Sequence, residues 1–295
     1  MVLTIDIGGT FVKWALAEGL ELTGTRGKVP TPQDSFDELV ALLAQLVEEA
    51  PVPIDGVAVS LPGTVNAETG LIVQGGALQY ANGRNMVDEL RERLGLPATI
   101  QNDARCAALA ELELGALKGC SDAVMVVIGT GVGGAIVAGG KLLAGGTGAA
   151  GELSMLAVRS LRAEGLGALL GNRAGMRGLL AGAARGLGRE AISGEELMAL
   201  VEAGDAGAQR ALDDGLSDLA DALLSLNFLL DPQRFVIGGG ISANATYMAR
   251  LTQAYEGSFA CLPFPAPHAQ IVPALFRNDA NLIGAAVHYQ TLVGC

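Results

Sequence analysis

Residues 123–141 read AVMVVIGTGVGGAIVAGGK: an apolar run, the turn Gly129-Thr130-Gly131-Val132-Gly133-Gly134, and a second apolar run. No charge falls between Ala123 and Gly140. A stretch of that length touches the lower limit for a membrane-spanning helix, roughly 17–18 residues. The glycines and the β-branched residues on both sides of the turn predict a buried β-hairpin instead. The letters also satisfy G-x-G-x-x-G at Gly129, Gly131 and Gly134. A dinucleotide fingerprint needs a helix to open there, whereas Ala135-Ile136-Val137-Ala138 reads as strand before Gly139-Gly140 stops it. A glycine hairpin with no ligand is the remaining alternative. Backbone without side chains, beside a threonine hydroxyl, lets main-chain N–H groups close on a phosphate. The same device opens the chain, where Leu3-Thr4-Ile5-Asp6-Ile7 leads into Gly8-Gly9-Thr10 and then Phe11-Val12-Lys13-Trp14. Two strand–turn–strand copies imply two halves that face each other across a phosphate.

The chain has 295 residues, enough for two modest domains and a sizeable core. Half of it is apolar and 17% is charged, which excludes a disordered chain. A net charge of −12, from 19 basic and 31 acidic residues, argues against a nucleic-acid partner, which needs a basic face. An acidic protein that binds a polyphosphate must rely on N–H groups and a metal ion. Cys106, Cys120, Cys261 and Cys295 suit neither a disulfide framework nor a zinc site, and read as incidental thiols of a reducing cytoplasm. The N-terminus lacks the basic region and long apolar core of a signal peptide, so a cytoplasmic location is expected.

Outward from the two turns, 20–29 reads as a third strand. Asp34 or Ser35 caps a helix with Phe36, Leu39, Val40, Leu43, Leu46 and Val47 on its core face. Residues 54–60 form a buried strand stopped by Leu61-Pro62-Gly63, and 66–85 is expected to be a rim loop. A short helix at 86–94 and a strand at 97–101 lead to Asn102-Asp103, where an alanine-rich helix opens. Asp103 reads as an N-cap or first-turn acid favoured by the helix dipole, or as a carboxylate at the carboxyl edge of a sheet, where α/β folds place ligands. Gly151-Glu152 after a glycine-rich stretch reads as a cleft contact or a surface ion pair. Helices are expected over 194–200 and 208–230, the latter with Leu212, Leu216, Leu219, Leu223, Leu226 and Leu230 on one face. Strand 234–237 runs into Gly238-Gly239-Gly240 and a helix from 243, an anion or nucleotide seat. A last helix spans 278–292.

The ordered set Asp6-Ile7-Gly8-Gly9-Thr10, Asn102-Asp103, Gly129 to Gly134, Gly151-Glu152 and Asp231-Pro232 leading to Gly238-Gly239-Gly240 resembles the ROK family of repressors and sugar kinases, over essentially the whole chain. The resemblance implies the actin-like ATPase (ribonuclease H-like) fold, a duplicated α/β fold with two lobes around a cleft. Residues 1–117 with the C-terminal helix 279–295 would make a small α/β domain, and 118–278 a larger one. It implies ATP-dependent phosphorylation of a hexose or hexose derivative, a glucose-like sugar or a β-glucoside. Asp103 would be the general base. Gly8, Gly9 and Thr10, with Thr130, Gly131, Gly133 and Gly134, would hold the phosphates of ATP. Asp6 would hold Mg²⁺ through water, Gly238, Gly239 and Gly240 would border the adenosine, and Gly63, Asn102 and Glu152 would contact the sugar beside Asp103.

Departures from the family pattern carry information. Ser154-Met155 stands where many members have a zinc-site histidine, and no cysteine cluster follows, so no zinc site is expected. Residues 169–176 contain no counterpart of the second sugar-binding glutamate, and Gly76-Ala77-Leu78-Gln79-Tyr80 lacks a usual asparagine. The pattern is similar to the zinc-lacking branch that includes β-glucoside kinases, and fewer polar contacts suit a bulkier substrate or a less selective pocket. A sugar-binding protein without catalysis, a regulator and an actin-like ATPase without a sugar are the alternatives. Asp6 lies too close to the start to leave room for a DNA-binding module before it, and no membrane partner is expected. The apolar, glycine-rich second half is compatible with a homodimer.

Overall fold

The computed structural model describes residues 1–294, and Cys295 lies outside them. Of the other cysteines, Cys106 and Cys120 are buried and Cys261 is exposed. The chain divides into two compact units. The first comprises Met1–Gly115, Ala144–Ala150 and the chain from Asn278 onward; the second comprises Ala116–Leu143 and Gly151–Arg277.

The first unit is built on a sheet ordered β3-β2-β1-β4-β7, with β1 at Val2–Ile7, β2 at Phe11–Glu18, β3 at Glu21–Pro30, β4 at Gly56–Leu61 and β7 at Ala98–Asn102. The first three strands are antiparallel neighbours, while β1, β4 and β7 run parallel. Both β1 and β4 are buried along their whole length, as continuous apolar runs predict for strands covered on both faces. Helix α1 (Phe36–Glu48) starts where Ser35 accepts a hydrogen bond from the Glu38 N–H, and buries Phe36, Leu39, Val40 and Leu43. Residues 66–85, expected to be a loop, contain structure. Strands β5 (Thr64–Asn66) and β6 (Leu71–Gln74) form a hairpin over buried Val65 and Ile72, followed by a 3₁₀ turn at Gln79–Ala81. Its bend is set by the Asn66 side chain, which accepts from the N–H groups of Glu68 and Thr69, and by Gly70 at φ +82°.

Helix α2 (Met86–Leu94) ends in left-handed Gly95, and α3 (Asp103–Leu114) follows β7 directly. The C-terminal helix, Ala280–Val293, crosses α3 so closely that a Cβ on Gly284 would stand 1.7 Å from the Cys106 carbonyl. Arg105 explains why seven residues from the middle of the chain belong here. Its buried guanidinium donates to the carbonyls of Gly148 (2.7 Å) and Ala150 (2.8 Å), tying 144–150 to α3.

The second unit repeats the pattern. Its sheet runs β10-β9-β8-β11-β12, with β8 at Ala123–Ile128, β9 at Val132–Ala138, β10 at Lys141–Leu142, β11 at Arg234–Gly238 and β12 at Gln270–Pro273. Again the first three strands are antiparallel neighbours and the other two add in parallel. The central stretch is therefore a hairpin, and among the described residues no helix is long and apolar enough to cross a membrane. Strand β12 had no signal in the sequence; its four residues are half-exposed and carry no alternation. The helices are α4 (Leu161–Glu164), α5 (Leu170–Arg173), α6 (Met176–Gly186), α7 (Gly194–Glu202), α8 (Ala206–Leu230) and α9 (Ala245–Ala260). Helix α8 buries Leu212, Leu216, Leu219, Leu223 and Leu226. On another face its buried Asp218 is held by Arg159 at 2.8 Å and by Arg173, so a carboxylate in the core is neutralised by two guanidinium groups.

His288 on the C-terminal helix has no hydrogen-bond partner for Nε2, and burial pushes its pKa down to about 4 against a weaker opposing pull from a hydrogen bond to the Ile100 backbone. Between about pH 6.5 and 4 the unfolded chain gains a proton that the folded chain refuses, so stability falls as pH drops through that window. Urea midpoints measured across it should fall more steeply for the wild type than for His288→Gln; equal slopes would contradict the assignment.

Candidate active site

Parallel register assembles the candidate site residues of the first unit. Asp6 on β1 lies beside Ser60 on β4, and Ser60 lies beside Gln101 on β7. The three strands thus end at one edge of the sheet, which carries Asp6, the turn Gly8-Gly9-Thr10, Gly63, Asn102 and Asp103.

Asn102 is the N-cap of α3, its Oδ1 accepting from the Arg105 N–H at 3.0 Å. Both hydrogens of its amide are used as well, one on the Gly63 carbonyl (2.8 Å) and one on Asp103 Oδ1 (3.0 Å). Asp103 Oδ1 also accepts from the Ala104 N–H at 2.8 Å. Because Asn102 takes the cap, Asp103 occupies the first helical position with its carboxylate held in place rather than serving as the cap. Gly63 has φ +95°, and a Cβ there would stand 2.0 Å from the Gln74 carbonyl, so only glycine fits beneath the loop at 74–76.

Asp6 is buried, and Oδ1 accepts from Ser60 Oγ (3.1 Å) and Asn281 Nδ2 (2.9 Å), while Lys13 Nζ lies 3.9 Å from Oδ2. Desolvation raises its pKa; the Asn281 bond, the Lys13 charge and the Ser60 bond act against that shift. Burial also pushes the Cys106 thiol well up, helped by the charges of Asp6 and Asp103, so this sulfur stays protonated. A desolvated carboxylate with one oxygen committed to two donors suits a hydrated Mg²⁺, which keeps most of its water and takes one or two carboxylates plus phosphate oxygens. Among the described residues no three His, Cys, Asp or Glu side chains group to hold a metal ion. Such an ion would therefore depend on the nucleotide's own oxygens.

The first turn has its carbonyls tied back. Gly8 O accepts from Thr31 Oγ1 (2.7 Å), Gly9 O from Gln33 Nε2 (3.0 Å) and Thr10 O from the Thr31 N–H (3.0 Å). Gly9 and Thr10 are exposed.

The second unit carries a glycine-threonine turn of its own. In the turn between β8 and β9, Gly129 O accepts from the Met176 N–H (2.9 Å), Thr130 O from the Arg177 N–H (3.1 Å) and Gly131 O from the Gly129 N–H (3.0 Å). The N-terminus of α6 thus does for this turn what Thr31 and Gln33 do for the first. Gly133 and Gly134 lie inside β9, opposite Val127 and Val126. Packing explains Gly134: a Cβ there would meet Leu153 at 2.3 Å and the Gly151 carbonyl at 2.7 Å. Glu152 sits between those two residues, at the start of a 3₁₀ turn beside β9. Gly238 ends β11 opposite Val127, so Gly238, Gly239 and Gly240 leave the sheet at the same edge as the Thr130 turn. Gly239 has φ +87° and approaches the Ile128 carbonyl so closely that a Cβ would lie 2.1 Å away. A 3₁₀ turn at Gly240–Ala243 intervenes before α9, which starts two residues later than the sequence suggests and is capped by Asn244.

A ROK family model matches residues 2–291. The chain belongs to the ROK family. A Listeria monocytogenes β-glucoside kinase is 33% identical over 98% of this chain and 97% of its own length. A Streptococcus pneumoniae ROK family protein solved in complex with sucrose is 30% identical, with a TM-score of 0.85 and 98% of each chain covered. A Streptomyces griseus ROK family glucokinase, solved with glucose and AMPPNP, is 25% identical with a TM-score of 0.81 over 97% of each chain. The fold is the actin-like ATPase fold of the ROK kinases, and its mark here is the repeated five-strand order.

Asn281, Ser60, Thr31, Gln33 and Gly175 are the site-supporting residues that sequence reading passed over. Gly175 is the most exacting, since a Cβ would lie 2.5 Å from both Gly131 Cα and the Gly171 carbonyl. Gly175→Ala should cost roughly 1–3 kcal/mol of stability by overpacking. Inside α6, which Gly175 only precedes, Gly182→Ala meets nothing within 4 Å, and should be neutral or gain about 0.5–1 kcal/mol. Chemical denaturation of both variants checks this, and equal effects would contradict the close approach.

Proposed function

We propose that this protein transfers the terminal phosphoryl group of ATP to a hydroxyl of a hexose or hexose derivative. The observation that carries the reading is the shared sheet edge, which carries a glycine-threonine turn just after β1 and a restrained carboxylate just after β7, with β4 between them. The turn Gly8–Thr10, together with Thr130 and Gly131, would cradle the phosphates, and Gly238, Gly239 and Gly240 would border the adenosine. Mg²⁺, held by Asp6 through water and by the phosphate oxygens, would neutralise charge on the triphosphate.

Asp103 would take the proton of the attacking hydroxyl as its oxygen bonds to the γ-phosphorus and ADP leaves. An aspartate is a weak base, but phosphoryl transfer asks mainly for alignment and charge stabilisation. Alignment is what Asn102 supplies here, with one amide hydrogen on Gly63 O and one on Asp103. Its direct role is therefore to orient the base, and Glu152 and the Gly63 backbone are left as the expected contacts to sugar hydroxyls. The named substrates and ligands of the relatives, a β-glucoside, sucrose and glucose, share a glucose ring and differ in what is attached to it. A glucose-type ring with room for a substituent is the substrate class this supports, and the absence of an acid in 169–176 agrees with it.

A coupled ADP assay with glucose, mannose, N-acetylmannosamine, fructose and β-glucosides tests the reading. Sugar-dependent ADP release is expected. Release without sugar would mean an ATPase, and sugar binding without turnover a binding protein. Asp103→Asn should lower kcat by roughly 10²–10⁴-fold with sugar affinity within about tenfold, and near-normal turnover would remove Asp103 from the role of base.

A further inference from the structure

We propose that Thr31 and Gln33 are positioning residues that orient the first phosphate turn by holding its carbonyls away from the ligand. This rests on the reading of that turn as a phosphate seat. A trans peptide is planar, with its C=O and N–H pointing in opposite directions. Fixing the carbonyls of Gly8, Gly9 and Thr10 therefore fixes the N–H groups of Gly9, Thr10 and Phe11 in the opposite sense. Two residues do the fixing. Thr31 uses its hydroxyl on Gly8 and its N–H on Thr10, and Gln33 uses Nε2 on Gly9 (3.0 Å) and on the Thr31 carbonyl (2.9 Å).

Glycine makes this turn close to a ligand but also mobile, because a residue without Cβ populates many backbone conformations. A turn that has to present N–H groups to a polyanion must not swing its carbonyls toward it, since each carbonyl oxygen would repel the phosphate. The clamp removes that alternative. Thr31 is buried and packs at the end of β3, whereas Gln33 is exposed and lies outside α1. Its side-chain hydrogen bonds go to the Gly9 and Thr31 carbonyls, so its side chain has little to do with the core. Tyr80 holds the intervening residue through a 2.7 Å hydrogen bond from its hydroxyl to the Pro32 carbonyl, which keeps both clamp residues in register with the turn.

Gln33→Glu and Gln33→Met remove the donor at an exposed position, and Glu adds a like charge beside the phosphates. The loss of one hydrogen bond that orients the turn should weaken binding of Mg-AMPPNP by roughly 3- to 10-fold for Met, and by more for Glu. Calorimetry with Mg-AMPPNP should show this while adenosine binding, the KM for sugar and the melting temperature stay near wild type. Thr31→Val should act in the same direction and Thr31→Ser should restore affinity. Should Thr31→Val fail to fold, the Gln33 pair decides alone. Wild-type protein that binds Mg-AMPPNP no better than Gln33→Glu would overturn the clamp. A wild type that binds no nucleotide at all would overturn the phosphate reading beneath it.

Discussion

A peptide plane cannot turn its carbonyl one way without turning its N–H the other, and both glycine turns of this protein exploit that constraint. In each, three successive carbonyls are engaged in hydrogen bonds. The partners differ: a threonine and a glutamine just after a strand in the first unit, and in the second the first N–H groups of helix α6 on Gly129 and Thr130 with the turn's own Gly129 N–H on Gly131. Two unrelated solutions to one geometric requirement suggest that the orientation of the N–H groups is what the fold preserves. Glycine alone gives close approach; the tied carbonyls give direction.

The parallel strands supply position in the same way. Register between β1, β4 and β7 places Asp6, Ser60 and Gln101 in a row, and the residues just beyond them form the rim of the site. Behind that rim lies a compact electrostatic arrangement. Asp6 is stripped of water and held by Ser60 and Asn281, Lys13 stands near its other oxygen, and a protonated Cys106 thiol lies near both Asp6 and Asp103. A carboxylate kept in that state gains more from an approaching cation than one in bulk water, because its own hydration has already been lost. The close crossing of the C-terminal helix over α3 at Gly284 is what lets Asn281 reach Asp6.

Features with a local physical cause were legible in the sequence. Helix α2 spans the expected 86–94, since Asn85 and Gly95 punctuate it, and the uncharged central stretch forms the hairpin that its β-branched residues and glycines demand. Features that depend on partners far along the chain were hidden. Nothing around Asn281 announces a bond to Asp6, and nothing in the glycine-rich run at 144–150 reveals that Arg105 draws it into the first unit. The hairpin at 64–74 was obscured because its bend is made by an asparagine side chain and one left-handed glycine, which read equally well as loop. Gly134 carries a packing demand that its motif does not announce. It sits in a phosphate-type motif, yet the contact that demands glycine there is with Leu153.

Family membership explains the repeated sheet and the order of the motifs, while the named ligands of the relatives differ around a common glucose ring. The central claim of the proposed function is that the N–H groups of each turn bind phosphate. Amide chemical-shift mapping during titration with Mg-AMPPNP, with adenosine as control, measures this at the atoms concerned. The account predicts that the amides of Gly9, Thr10, Thr130 and Gly131 all shift together at the same ligand concentration, and that adenosine leaves them in place. Shifts confined to one turn, or produced equally by adenosine, would contradict it.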